Sequence, residues 1–174
     1  PVAPLALLAL ALLAPPARAE RTIAVMPFKN LSQARNAVGE AIRETVTSDL
    51  KGVSGIKVIE RSFIDKVIAE QNLQAQRADL DPTSSVKVGK LLGAQLIVAG
   101  AYQEAGDQVR LTSRFVSVES GQIVGTAKVD GKSTEFLTLQ DRITVELLKS
   151  AGIAAPQQQA VAKRSRPKVK SLKT

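Results

Sequence analysis

From Gln95 to Tyr102 the chain reads Gln-Leu-Ile-Val-Ala-Gly-Ala-Tyr, eight residues with no charge. A strand with one wet face alternates apolar and polar side chains, whereas a nearly continuous apolar run belongs to a strand covered on both faces. Such a strand cannot lie at an exposed edge. It requires neighbouring strands on either side and helices above and below, which makes the chain an α/β protein before any other segment is considered.

The flanking segments supply those partners. Thr22 to Phe28 carries Ile23, Val25 and Phe28 and predicts a buried strand that Pro27 ends or edges. Ser32 can cap a helix running to about Lys51, with Val38, Ile42, Val46 and Leu50 beside Ala41 on its inner stripe and Arg35, Glu40, Arg43 and Glu44 facing water. Gly52 to Gly55 stops it. A second strand spans Ile56 to Arg61, with Ile56 and Val58 on one face and Ile59 on the other. Ser62-Phe63-Ile64-Asp65 resembles a capping box, followed by a helix that directs Phe63, Ile64, Val67, Ile68 and Leu73 to the core. Asp81-Pro82 starts a third helix, with Val86, Val88, Leu91 and Leu92 on its apolar side and Gly93 as its stop. After the central strand, turns at Ala105-Gly106-Asp107 and Ser120-Gly121 delimit strands around Val109–Val118 and Gln122–Val129. A last helix begins near Ser133 and carries Phe136, Leu139, Ile143 and Leu147 before Gly152. The predicted order is β-α-β-α-α-β-β-β-α: a mixed five-stranded sheet with helices packed against it, parallel at the early crossovers and antiparallel in the later meander.

Composition narrows the chemistry. The 174 residues suit one domain and include neither Cys nor His. Thiolate nucleophiles, imidazole acid/base catalysis and zinc, haem or iron–sulfur centres built on those ligands are therefore excluded within this sequence. Gly52-Val53-Ser54-Gly55 and Gly89 to Gly93 match neither phosphate-binding loop nor dinucleotide fingerprint, and helix stops account for both. No enzymatic activity, cofactor or metal is expected.

Leu5 to Ala14 is an uncharged Leu/Ala run of export-signal length, followed by Pro15-Pro16 and by Ala17-Arg18-Ala19. The expected organisation is a signal peptide over 1–19, cleaved before Glu20, an α/β domain over 20–153 and a basic, disordered tail over 154–174. Of the 24 basic residues, Lys163, Arg164, Arg166, Lys168, Lys170 and Lys173 lie in that tail and Arg18 in the leader, so the remaining 17 face 16 acids. The domain itself is nearly neutral and is not expected to bind nucleic acid. The tail suits a linker or a weak, salt-sensitive tether to anionic lipid or an envelope polymer. Glu60-Arg61, where a strand meets a helix, followed by Glu70, is the leading polar constellation, read either as a structural ion pair or as an interaction site.

Three segments resemble the CsgG family, whose fold recurs in FlgO-type flagellar proteins, the N-terminal domain of TolB and LpoB-type activators of penicillin-binding proteins. They are Ile23-Ala24-Val25-Met26-Pro27-Phe28-Lys29-Asn30, then Val58 through Gln71 with its Glu60-Arg61 and its closing Glu70-Gln71, and Val88 through Gly100 with its Leu91-Leu92-Gly93-Ala94 step into the central strand. The resemblance extends over about residues 21 to 150. It implies a periplasmic, protein-binding module that acts in envelope assembly through contacts with envelope proteins and is compatible with self-association. Alternatives from the same family are a ring-forming outer-membrane channel subunit for curli-like fibres and an LpoB-type activator of a cell-wall synthase. CsgG itself is a lipoprotein that crosses the outer membrane through amphipathic hairpins. No Cys is present here for lipid attachment, and the candidate hairpin Val109–Val129 is short and carries Arg110, Arg114, Glu119 and Lys128. A lipid-facing strand needs about 9–11 residues with one apolar face, so pore formation is not expected.

Overall fold

The structure is a computed structural model that describes residues 20–32, 38–71 and 82–154. The leader, Leu73, Asp81 and the basic tail lie outside these residues. Six strands and four helices follow in the order β1 (Arg21–Val25), β2 (Lys29–Asn30), α1 (Val38–Lys51), β3 (Ile56–Val58), α2 (Arg61–Glu70), α3 (Pro82–Leu91), β4 (Leu96–Ala105), β5 (Gln108–Ser117), β6 (Ile123–Lys132) and α4 (Phe136–Ser150). A short 3-10 turn over Ser133–Glu135 leads into α4.

The sheet runs β3-β1-β4-β5-β6, which puts the apolar β4 at its centre, as its composition demands. β1 lies parallel to both β3 and β4, and β4, β5 and β6 form an antiparallel meander. The two-residue β2 pairs with β4 further along the line begun by β1, because Met26-Pro27-Phe28 interrupts a single strand path. Proline offers no N–H to the ladder, so the break falls where the sequence places it.

Alternation along the strands divides the core into two layers. On one face Ile23, Val25, Val98, Tyr102, Leu111, Phe115 and Val129 meet Ile42, Val46 and Leu50 of α1 and Leu139, Ile143 and Leu147 of α4. On the other, Ala24, Met26, Ile97, Ala99, Val116 and Val118 meet Ile64 and Ile68 of α2 and Val88 of α3. Each fully buried aliphatic side chain stabilises the fold by about 1.5–3 kcal/mol relative to exposure. Gly89 lets α3 approach closely: a Cβ there would come within 2.8 Å of the Ile97 side chain and 2.9 Å of Val118. Gly93, at φ 65°, then ends the helix in the left-handed conformation that glycine adopts without strain.

Five residues differ from their expected roles. Arg43 does not face water; it is 1% exposed and sits on the inner stripe of α1 with Gly39, Ile42, Val46 and Leu50. Ser62 is no cap, because α2 starts at Arg61 with Glu60 before it and no side-chain cap bond. That start turns Phe63 outward, 64% exposed, and leaves Ile64 and Ile68, one turn apart, as the buried pair. Leu91 likewise projects from α3 and is exposed, while Val88 carries the contact with the sheet. Ser32 is engaged elsewhere: its hydroxyl accepts the Glu104 N–H at 2.6 Å and so ties the end of β2 to β4.

Candidate functional site

The polar constellation expected around Arg61 exists, with different members. Glu40, Arg43 and Glu44 occupy successive positions on one side of α1, and Arg61 and Asp65 stand one turn apart on α2. Arg61 reaches Glu44 at 3.0 Å, Glu40 at 3.2 Å and Asp65 at 3.2 Å, and so links the two helices. The hydrogen bond that Arg61 donates to Glu44 leads the causes that raise the Arg61 pKa, so its guanidinium stays charged at any physiological pH. Glu60 instead meets Lys51 at 2.6 Å and Glu70 meets Lys66 at 3.9 Å, both at the surface. The three residues singled out in the sequence therefore do not converge.

The residue missed was Arg43. Odd-numbered residues of β1 direct their peptide groups towards β3, as the bonds between Arg21 N–H and the Gly55 carbonyl and between Ile59 N–H and the Ile23 carbonyl establish. β3 ends before it can serve Val25. Arg43 Nε donates to that orphaned Val25 carbonyl at 3.0 Å, and its Nη1 donates to Asp65 at 3.1 Å. A buried guanidinium is tolerated because its charge meets Asp65 and its Nε and Nη1 find acceptors, although Nη2 has none among the described residues. The signal was present in the sequence as a cation three residues before Val46 and four after Gly39, squarely on the core stripe.

A more open site lies on the sheet itself. α2 and α3 cover only the β1 side of their face, together with Val116 and Val118 at one end of β5. Beyond them the register lines up Ala101 with Thr112 and Lys128, and Ala99, at the edge of the α2/α3 contact, with Arg114 and Thr126. The result is a groove of about 580 Å³. Its floor is small or hydroxylic (Ala99, Ala101, Thr112, Thr126), and Lys29, Arg114 and Lys128 bring three cations to it. Ser85, buried in the first turn of α3, forms part of the wall, and Leu31 and Ile123 stand on the rim, 52% and 56% exposed. No carboxylate is among the described residues that line it. Arg114 and Lys128 make no ion pair among the described residues, whereas Arg110, further along β5, is neutralised by Asp130 at 2.7 Å.

β5 and β6 each run for ten residues, so the expected hairpin is longer than the sequence suggested and long enough for a membrane span. Length is not what argues against that role. One face of the hairpin is the core beneath α4, and the other carries Arg110, Thr112, Arg114, Thr126, Lys128 and Asp130, which leaves no face for lipid. Among the described residues no helix is long and apolar enough to cross a membrane, and no cluster of three or more carboxylates is arranged to hold a metal ion.

The LpoB C-terminal domain from Salmonella enterica superimposes with a TM-score of 0.58 at 16% identity, covering 66% of this chain and 84% of that one. Lipoprotein GNA1162 from Neisseria meningitidis gives a TM-score of 0.58 at 17% identity, covering 74% of this chain and 97% of that one. TolB from Acinetobacter baumannii gives 0.50 at 10% identity, over 75% of this chain and 28% of the other. At these identities the likeness is one of fold. No curated protein sequence matches the chain. The family model described as curli production assembly/transport component CsgG matches residues 6–102, which contain all three segments that carry the sequence resemblance. The chain belongs to the CsgG family.

Proposed function

We propose that the chain is a non-catalytic, periplasmic protein-binding domain that works as an LpoB-type activator of a cell-wall synthase. The observation that carries this reading is the hairpin of β5 and β6, whose two faces are committed to the core and to a charged groove, so that it offers contacts to a macromolecule and none to lipid. The likeness in fold to the LpoB C-terminal domain supports the choice of partner. The apolar run Leu5–Ala14 supports export, with cleavage before Glu20, and the cations from Lys163 to Lys173 are read as a loose tether to anionic lipid or envelope polymer. Arg61 is read as a helix-to-helix strut, and Glu60 and Glu70 as surface partners of nearby lysines.

The test adds the purified protein to a bifunctional penicillin-binding protein from the same cell and follows glycan-strand polymerisation from a lipid-linked precursor. A several-fold rise in rate is expected. An unchanged rate, together with a detergent-stable ring in sedimentation, would replace this reading with the channel subunit that the family's description favours.

A further inference from the structure

We propose that the groove between the first turn of α3 and the outer face of β4–β6 binds an acidic, extended peptide segment of the partner protein. This deepens the protein-binding reading above and rests on it only for the identity of the partner.

Charge complementarity is the first support. Arg114 and Lys128 stand two register positions apart on neighbouring strands, without an ion pair among the described residues, and Lys29 closes the same groove from β2. Arg114 is half-buried and Lys128 exposed, so a carboxylate that replaces the water on Arg114 gains more than a fully exposed pair would. Shape is the second. The floor consists of small side chains on a pleated surface, so a ligand must lie flat, and Leu31 and Ile123 give apolar contact at the rim. An extended chain whose alternate side chains carry carboxylates down to the cations, with apolar residues where it passes Leu31 and Ile123, satisfies both requirements. A bilayer offers no extended backbone to lie along the strands, and the vesicle arm below tests it directly. A nucleic acid is disfavoured because the groove lining contains no aromatic side chain on which bases could stack.

The experiment uses two eight-residue probes, one alternating Glu and Leu and one alternating Lys and Leu, with phosphatidylglycerol vesicles as a third arm. Binding to the full mature chain is followed by amide chemical shifts. The Glu/Leu peptide should bind and perturb Ala99, Ala101, Thr112 and Thr126, the Lys/Leu peptide should not, and the affinity should fall as salt rises. Arg114→Glu with Lys128→Glu should weaken binding at least tenfold, and the neutral pair Arg114→Gln with Lys128→Gln should weaken it less; circular dichroism checks that both variants fold. Equal binding of the two peptides, shifts elsewhere on the surface, or saturation by vesicles with no peptide binding would overturn the proposal. In the synthase assay the charge-reversed variant separates the two readings. Stimulation that survives the reversal removes the groove and leaves the activator, whereas peptide binding without any stimulation by the native chain removes the activator and leaves the groove.

Discussion

The two faces of the sheet use the same strands for opposite ends. The face beneath α1 and α4 is closed along the lengths of β4, β5 and β6, and its residues lie at or near zero exposure. The face beneath α2 and α3 is closed where β1 meets β4 and over Val116 and Val118 at one end of β5, and its remainder presents hydroxyls and cations to the groove. Strand alternation therefore commits one set of residues to the core and leaves the set directly between them lining the groove. Phe115 and Arg114 are neighbours in the chain, yet one sits in the core and the other in the groove.

That contrast can be broken most directly at this pair. Phe115→Ala should cost about 3–5 kcal/mol, through lost burial and a cavity in the closed layer, whereas Arg114→Ala should stay within about 0.5 kcal/mol. Urea titrations of the two variants read the difference, and equal losses would abolish the division between the faces. A second test moves to the boundary between the layers, where Arg43 is buried against Asp65. Asp65→Asn should lower stability by about 2 kcal/mol, because it weakens a charge-assisted bond to a guanidinium with few other partners; a shift in denaturation midpoint at unchanged m-value is the signature. Arg61→Met probes the same network from its wet side. Its side chain is 42% exposed, so despite three carboxylate contacts the loss should be below about 1 kcal/mol and should shrink further in high salt. The smallest effect concerns the exposed Arg110–Asp130 pair. The bond from Arg110 holds the Asp130 carboxyl below the usual carboxylate range. A group depressed in the folded state contributes stability that is present above its unfolded pKa and lost as pH falls through its folded one. Asp130→Asn should therefore lower stability slightly at neutral pH, leave strongly acid pH unaffected and so make the acid limb of the stability curve shallower. Carbon-13 shifts of the Asp130 carboxyl should titrate below those of an aspartate in a short peptide.

The legibility of the sequence follows the same division. Strand order and helix positions were readable wherever burial is periodic: the uncharged run of β4, the four-residue spacing of Ile42, Val46 and Leu50, and the alternation of Val109 and Leu111 with Arg110 and Thr112. Arg43 was misread because side-chain type was allowed to override position on the stripe. Phe63 was misread in the same way, as an aromatic assumed to turn inward although Ile64 and Ile68 already define the buried line of α2. The groove could not be read at all. It depends on how far α2 and α3 extend over the sheet, which no local pattern encodes, and its cations come from β2, β5 and β6. The Glu60-Arg61 motif marked the right helix start and the wrong partners, because Glu40 and Glu44 on α1 lie far away in the chain.

The interrupted first strand has a kinetic corollary. β1 is first to be synthesised but is flanked in the sheet by β3 and β4, so Ile23 waits for both Val58 and Leu96 before its ladder can close. Contacts of such long sequence separation form slowly, because the entropy of closing the intervening loops comes before any gain. The meander of β4 to β6 with α4, built from near neighbours, is free to organise earlier. A chain that grows from its N-terminus thus keeps its opening segment unzipped until β4, beyond the midpoint of the sequence, has appeared.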